Sequence, residues 1–238
     1  MQTYLIVGCT SGIGKALTEI LVTKGHRVLG AGRSQSALEE LSRKFPDFFS
    51  GKTLDIRQEQ KTMAALDEWL DEQPAIDVAV IASSIVGANP ELEWEIEKNI
   101  IQTNVLGWAA VCNRMARYFE QQGRGHLVGI TSLAKYLASV NPAYIATKAF
   151  EGKYLDGLRS RLEPRGVHVT EIMPGFVETP MIADRNNAFL VISPEKAAKS
   201  ILRAIKKRKR RAVISTRWKI FRLLLPHLPA VLLVKLRG

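Results

Sequence analysis

Short runs rich in Val and Ile alternate along the chain with longer stretches of helical period. The strand-like runs are TYLIVG, HRVLGA, FSGKTLD, IDVAVIAS, GHLVGIT, HVTEIM and RAVIS. Helical periodicity covers residues 15–23, 36–45, 59–72, 93–121, 142–162 and 194–206. Strands that are apolar on both faces belong to parallel sheets covered on both sides, and strand-helix alternation needs right-handed crossovers between neighbours. The pattern therefore predicts an α/β fold, a doubly wound parallel sheet of about seven strands with helices on both faces. No repeat or low-complexity linker interrupts it, so residues 1–215 read as one domain and 216–238 as a basic, apolar tail. The stretch between Phe176 and Ser193 is the longest without clear periodicity, and loops of that length are often lids over a site.

Composition changes this picture only at the end of the chain. The 238 residues can bury a sizeable core. Cys9 and Cys112 follow no disulfide or metal-ligand spacing and the four histidines are unpaired, which points to a reducing compartment and no metal site. The first strand begins at residue 3, with no basic region or cleavable apolar stretch before it, and no apolar run could span a bilayer. A cytoplasmic chain is expected. The formal charge of +11 is local: fourteen Lys and Arg and no acid follow Glu195, whereas residues 1–195 hold twenty bases against twenty-three acids.

Candidate chemistry starts directly after the first strand, where GCTSGIG sets Gly8, Gly12 and Gly14 ahead of a helical pattern. Glycines there permit a tight turn and let backbone N–H groups approach a pyrophosphate at the positive end of the helix. At the end of the second strand GAGRS gives Gly32 and Arg33. An acid at that position would accept hydrogen bonds from the ribose hydroxyls of NAD, whereas a planar cation suits the 2′-phosphate of NADP. Arg33 thus favours NADP(H), the alternative being an ordinary solvated Arg. Further on, YIATK places Tyr144 and Lys148 four residues apart, neighbours on one helix face. The spacing permits chemistry, and a chance pair permits it equally.

The G-x-x-x-G-x-G turn resembles that of the short-chain dehydrogenase/reductase family, and further motifs extend the resemblance in order from Thr3 to about Ser215. It implies a Rossmann-type domain and a catalytic set of Asn104 in IIQTNVLG, Ser132 at the end of GHLVGITS, Tyr144 and Lys148. It further implies a cofactor held by Gly8, Ser11, Gly12, Ile13, Gly14 and Arg33, with Asp55 against adenine and Ala82 and Ser83 along the ribose. Tyr144, Lys148, Pro174, Gly175, Val177 and Thr179 would then hold the nicotinamide end. Asp55 also reads as a helix N-cap. In this scheme Tyr144 is the general acid or base. A free tyrosine ionises near pH 10, so a lysine one turn away is needed to stabilise its phenolate, while Ser132 binds the substrate oxygen. By the same resemblance Lys148 holds the nicotinamide ribose and Asn104 supports a water that relays protons.

Two departures stand out. Ser11 occupies a place where NADP-preferring relatives often carry a base, and IASS (81–84) replaces Asn-Asn-Ala-Gly. Without those Asn side chains the edge of the fourth strand must be braced by packing, and Ser84 crowds a glycine position. The expected function is NADP(H)-dependent interconversion of a ketone or aldehyde and an alcohol. The rival is a dinucleotide-binding regulator without turnover. The resemblance also implies a homodimer or homotetramer through the helices carrying Asn104 and Tyr144, where Gly152 and Gly157 suggest close packing. In the tail, KKRKRR precedes Trp218, Phe221 and Leu223 interleaved with Arg217, Lys219 and Arg222. That pattern fits an anionic membrane surface and an apolar or lipid-like substrate, with packing against the domain or a dimer partner as the rival. Nucleic acid is the weaker reading, since no recognition motif accompanies the basic run.

Overall fold

The computed structural model describes residues 1–72, 75–136, 141–179 and 191–214. Seven strands form one sheet: β1 (Thr3–Val7), β2 (Arg27–Gly32), β3 (Phe49–Thr53), β4 (Val78–Ile81), β5 (Gly125–Ile130), β6 (Val167–Pro174) and β7 (Arg211–Ile214). Their spatial order is β3-β2-β1-β4-β5-β6-β7, and every pairing is parallel. The order reverses between β1 and β4, where doubly wound sheets open a crevice beyond the strand C-termini.

Among the described residues seven α-helices cover the faces: α1 (Gly12–Thr23), α2 (Gln35–Lys44), α3 (Glu59–Glu72), α4 (Trp94–Ile101), α5 (Trp108–Gln122), α6 (Pro142–Leu162) and α7 (Pro194–Lys206). Alternation along β1 sends Tyr4 and Ile6 into a core shared with Leu17 and Leu21 of α1, Leu38 of α2 and Ile201 of α7. Leu5 and Val7 enter the opposite core with Trp69 of α3, Met115 of α5 and Leu155 of α6. Both faces of each central strand are buried, which is why those strands read as unbroken apolar runs.

The helical stretch 93–121 is not one helix. α4 and α5 are joined by a π-helical turn, Gln102–Gly107. Gly107 approaches the backbone so closely that a Cβ there would stand 2.5 Å from the Ile56 carbonyl oxygen. Two smaller differences follow from glycines: α1 begins at Gly12 rather than residue 15, and Gly157 faces open space whereas Gly152 is tightly packed. Val177 and Ile192 form a parallel bridge that ties together the two ends of the aperiodic stretch; residues 180–190 within it, and the tail 216–238, lie outside the described residues. No helix among the described residues is long and apolar enough to cross a membrane.

Candidate active site

The first strand hands the chain to α1 through a turn that only glycines allow. Gly8 has φ +96° and Gly12 φ +50°, conformations that L side chains rarely adopt. A Cβ on Gly8 would lie 2.6 Å from the Ser83 nitrogen, one on Gly14 would collide with the Gly8 carbonyl oxygen, and one on Gly12 would meet Thr179 at 2.9 Å. The turn is therefore wedged between the end of β4 and the segment after β6. Ser11, at the N-cap of α1, makes no capping bond through its side chain, so first-turn N–H groups remain to bind an anion.

This turn opens onto a cavity of about 750 Å³ at the C-terminal edge of the sheet. Every residue named above for the cofactor, and Ser132, Tyr144 and Lys148 with them, lines that one space; Asn104 stands behind its wall. At one end are Arg33 and Asp55. At Gly32 beside them a Cβ would press on the Thr10 side chain, 2.4 Å from its methyl and 2.7 Å from its hydroxyl, so a larger residue there would have to displace Thr10. Asp55 is not a helix N-cap, since α3 starts only at Glu59. Its carboxylate accepts from the Arg57 backbone N–H at 3.0 Å and from the Arg57 guanidinium. The Arg57 hydrogen bonds hold Asp55 below the usual carboxylate range, helped by the charge of Arg33.

The other end holds the chemistry. Ser132 accepts a hydrogen bond from the Ala134 N–H at 3.0 Å, which leaves its own proton to donate. Tyr144 and Lys148 share a face of α6, both buried, with the Lys148 Nζ 5.8 Å from the Tyr144 ring centroid. Lys148 is gripped from its far side by Glu151, at 2.8 and 2.9 Å to the two carboxylate oxygens.

Asn104 corrects the expectation that the β4 edge is braced by packing. Its Oδ1 accepts from the Ile85 N–H (2.9 Å) and the Ser84 hydroxyl (3.2 Å), and its Nδ2 donates to the Ile85 carbonyl (2.8 Å) and the Thr147 hydroxyl (3.2 Å). The π-helical turn brings the amide inward, and hydrogen bonds brace the loop. Ser84, expected to crowd a glycine position, takes part in the brace. With its four hydrogen-bonding positions occupied by protein, the Asn104 amide has none left for a relay water.

The model of the short chain dehydrogenase family matches residues 2–189. The chain belongs to the short-chain dehydrogenase family. An uncharacterised oxidoreductase of Myxococcus xanthus is 34% identical over 193 residues, 78% of this chain and 76% of that protein. Among solved structures, a short-chain dehydrogenase from Sphingobium yanoikuyae in complex with NADPH superposes with a TM-score of 0.83 at 23% identity, covering 93% of this chain and 92% of that one. A closed form of serine dehydrogenase complexed with NADP+ gives 0.79 at 26% identity, over 90% and 93%. This short-chain dehydrogenase is accordingly an oxidoreductase whose cofactor is a nicotinamide dinucleotide. The cradle fits such a group, because the collisions at Gly8 and Gly14 leave backbone alone at the turn and Gly12, Ile13 and Gly14 at the start of α1 line the cavity.

The family motifs did not reveal Glu151 or its neighbour Glu171. Burial pushes the Glu151 carboxyl up to about 7, against the pull of Lys148. Glu171, fully buried in β6, pairs with Lys135 and accepts from the Thr131 hydroxyl. An acid inside the apolar run HVTEIM was the available signal, since a strand covered on both faces cannot bury a carboxylate without a partner.

Proposed function

We propose that this short-chain dehydrogenase is an NADP(H)-dependent enzyme interconverting a ketone or aldehyde and its alcohol, with an apolar, lipid-like compound as substrate. The observation that carries the reading is the convergence of the Ser132 hydroxyl, Tyr144 and Lys148 at one end of a cavity whose other end carries Arg33. When bound, the dinucleotide supplies or accepts the hydride. The turn 8–14 would hold its pyrophosphate, Arg33 its 2′-phosphate and Asp55 its adenine end. Ser132 donates to the carbonyl oxygen as negative charge develops there. Tyr144 delivers the proton, and the Lys148 ammonium stabilises the phenolate that remains. The departure at IASS no longer favours a regulator without turnover, because Ser84 and Asn104 brace each other.

Around Ser132 and Tyr144 the lining is largely apolar, with Ile85, Val86, Leu133, Ala134 and Phe176, beside the polar Ser84, Thr131 and Asn141. Among the described residues the charged groups lining the cavity are Arg33, Asp55 and Lys148. Among the described residues Lys148 is the one cation lining this end of the cavity, and it is itself paired with Glu151, so they offer no free cation to a substrate carboxylate such as that of serine. Neutral, apolar carbonyl compounds suit this end better. A screen of NADPH consumption over ketones and aldehydes graded by chain length and polarity tests the proposal, with turnover expected to rise with chain length; binding of NADPH without turnover of any carbonyl would favour the regulator.

Arg33→Asp replaces the cation with an anion suited to ribose hydroxyls. The preference for NADPH over NADH should fall by roughly tenfold or more, from attraction lost and repulsion gained. Kinetics with both cofactors check this; a native protein that already prefers NADH refutes the role given to Arg33.

Leu106 in the π-helical turn and Phe150 on α6 are exposed, and Phe150 stacks on Tyr154. These apolar side chains support a homo-oligomer through the α5 and α6 face. The basic run is partly structural, because Arg210 pairs with Glu163 and Arg211 with Asp156. Membrane association therefore depends more on residues 217–238. The intact protein should sediment with phosphatidylserine-containing vesicles and be released largely by salt, and removal of 217–238 should abolish binding while leaving NADPH affinity intact. If vesicles are ignored and truncation unfolds the protein or breaks its oligomer, the tail is a packing element.

A further inference from the structure

Lys148 lies between two groups on one stripe of α6, Tyr144 a turn before it and Glu151 a turn after it. The ion pair with Glu151 is almost sealed from solvent, with side-chain exposures of 2% and 0%. A lysine that served only Tyr144 and the cofactor would need no such partner. At contact distance, and with both groups buried, the carboxylate is weakly screened from the ammonium. It therefore governs both where the ammonium points and how much positive potential reaches the phenol.

We propose that Glu151 is a positioning residue of the acid-base pair: its carboxylate fixes the Lys148 ammonium and offsets part of its charge, so that Tyr144 keeps its proton, and its capacity to act as an acid, further into the alkaline range. The inference rests on the reading of Tyr144 as the general acid and deepens it. The surroundings of Glu151 are themselves arranged around charge. From α6 it faces Lys148; from the short helical turn Leu133–Tyr136, Lys135; from β6, Glu171; and from α5, the buried Cys112. Arg211 of β7 reaches the other side of Glu171, at 3.4 Å. Gly152 makes room for this arrangement, since a Cβ there would be 2.6 Å from the Lys135 Nζ and 2.9 Å from a Glu171 carboxylate oxygen. Two lysines and two carboxylates, of which only Lys135 keeps some exposure, thus share one compartment behind the catalytic helix. Because burial holds the Glu151 carboxyl at about 7, the offset is present in the alkaline range, where tyrosine ionises, and fades below neutrality.

The alternative is an ion pair that only stabilises the fold. The two differ in the ionisation of Tyr144, which can be read without substrate or cofactor. Tyrosinate absorbance of the full chain is followed through an alkaline titration, and subtraction of Tyr144→Phe isolates the contribution of Tyr144. In Glu151→Gln the Tyr144 curve should move about one pH unit lower, an effect of the size a close charge exerts, while Glu151→Asp, which keeps the charge, should stay near the native curve. Coincident curves for the native protein and Glu151→Gln overturn the proposal. If Glu151→Gln does not fold, NMR of ring-labelled tyrosines in the native protein decides instead. The Tyr144 resonance, assigned by its loss in Tyr144→Phe, should shift near neutrality as Glu151 ionises, and a Tyr144 resonance that does not move there overturns the proposal. The two readings fail separately: a native protein that reduces no carbonyl sinks the functional assignment, whereas unmoved titration curves in a protein that does turn over sink only this one.

Discussion

Replacing Tyr144 by Phe should lower carbonyl reduction by at least ~10²-fold, the range typical of a lost general acid, and leave NADPH affinity close to native. The ring is 8% exposed and packed in the wall of the cavity, so Phe fills the same volume and the fold should not register the change. The hydroxyl is the only group removed. Lys148 and the turn 8–14, which are given the cofactor contacts, remain. The effect should therefore fall on kcat, and single-turnover rates with saturating NADPH should show it undiminished. Retained turnover in Tyr144→Phe would remove the phenol from the reaction and leave Ser132 without a proton donor beside it.

Much of this was legible in the chain, for physical reasons that also explain what was not. The sheet could be read because each parallel strand is buried on both faces and bounded by polar loops. The glycine turn could be read because collisions at Gly8 and Gly14 forbid side chains there. The π-helical turn could not. Residues 93–121 keep an apolar stripe throughout, and one extra residue in a turn shifts that stripe too little to show as a break. The brace formed by Asn104, Ser84 and Thr147 was hidden for the same reason, since it depends on the inward displacement of one amide. Glu151 was hidden differently. In KAFEGKYLDG it resembles a solvent-face acid one turn from a lysine, an ordinary surface pair. α6, however, packs one face against the sheet, α4 and α5, and that face places the pair in the interior. Position in the fold converts a weak surface contact into one that influences the reaction.

Lys148→Met should damage both chemistry and cofactor binding, and it should add a dependence of stability on pH that Tyr144→Phe lacks. Met matches the length of the lysine stem but leaves Tyr144 without the ammonium and Glu151 without its cation. Reduction should fall by at least ~10²-fold, with NADPH affinity weakened as well. Breaking a buried pair typically costs about 3–5 kcal/mol, yet Glu151 can escape part of this by taking up a proton. An unfolded glutamate ionises near pH 4.3, whereas the folded carboxyl is already pushed up to about 7. Between those values the native state binds the proton more tightly than the unfolded state, so this group's contribution to stability is complete at low pH and is lost as pH rises towards 7. Losing Lys148 raises the folded value further and carries the loss past neutrality. Each further pH unit of displacement removes about 1.4 kcal/mol at alkaline pH. Chemical denaturation on both sides of neutrality should find the variant close to native stability in mild acid and progressively weaker than native above pH 7. A stability deficit that does not change with pH would mean that Glu151 is not left as an unpaired buried carboxyl, and the electrostatic account of the Tyr144, Lys148 and Glu151 stripe would have to be given up.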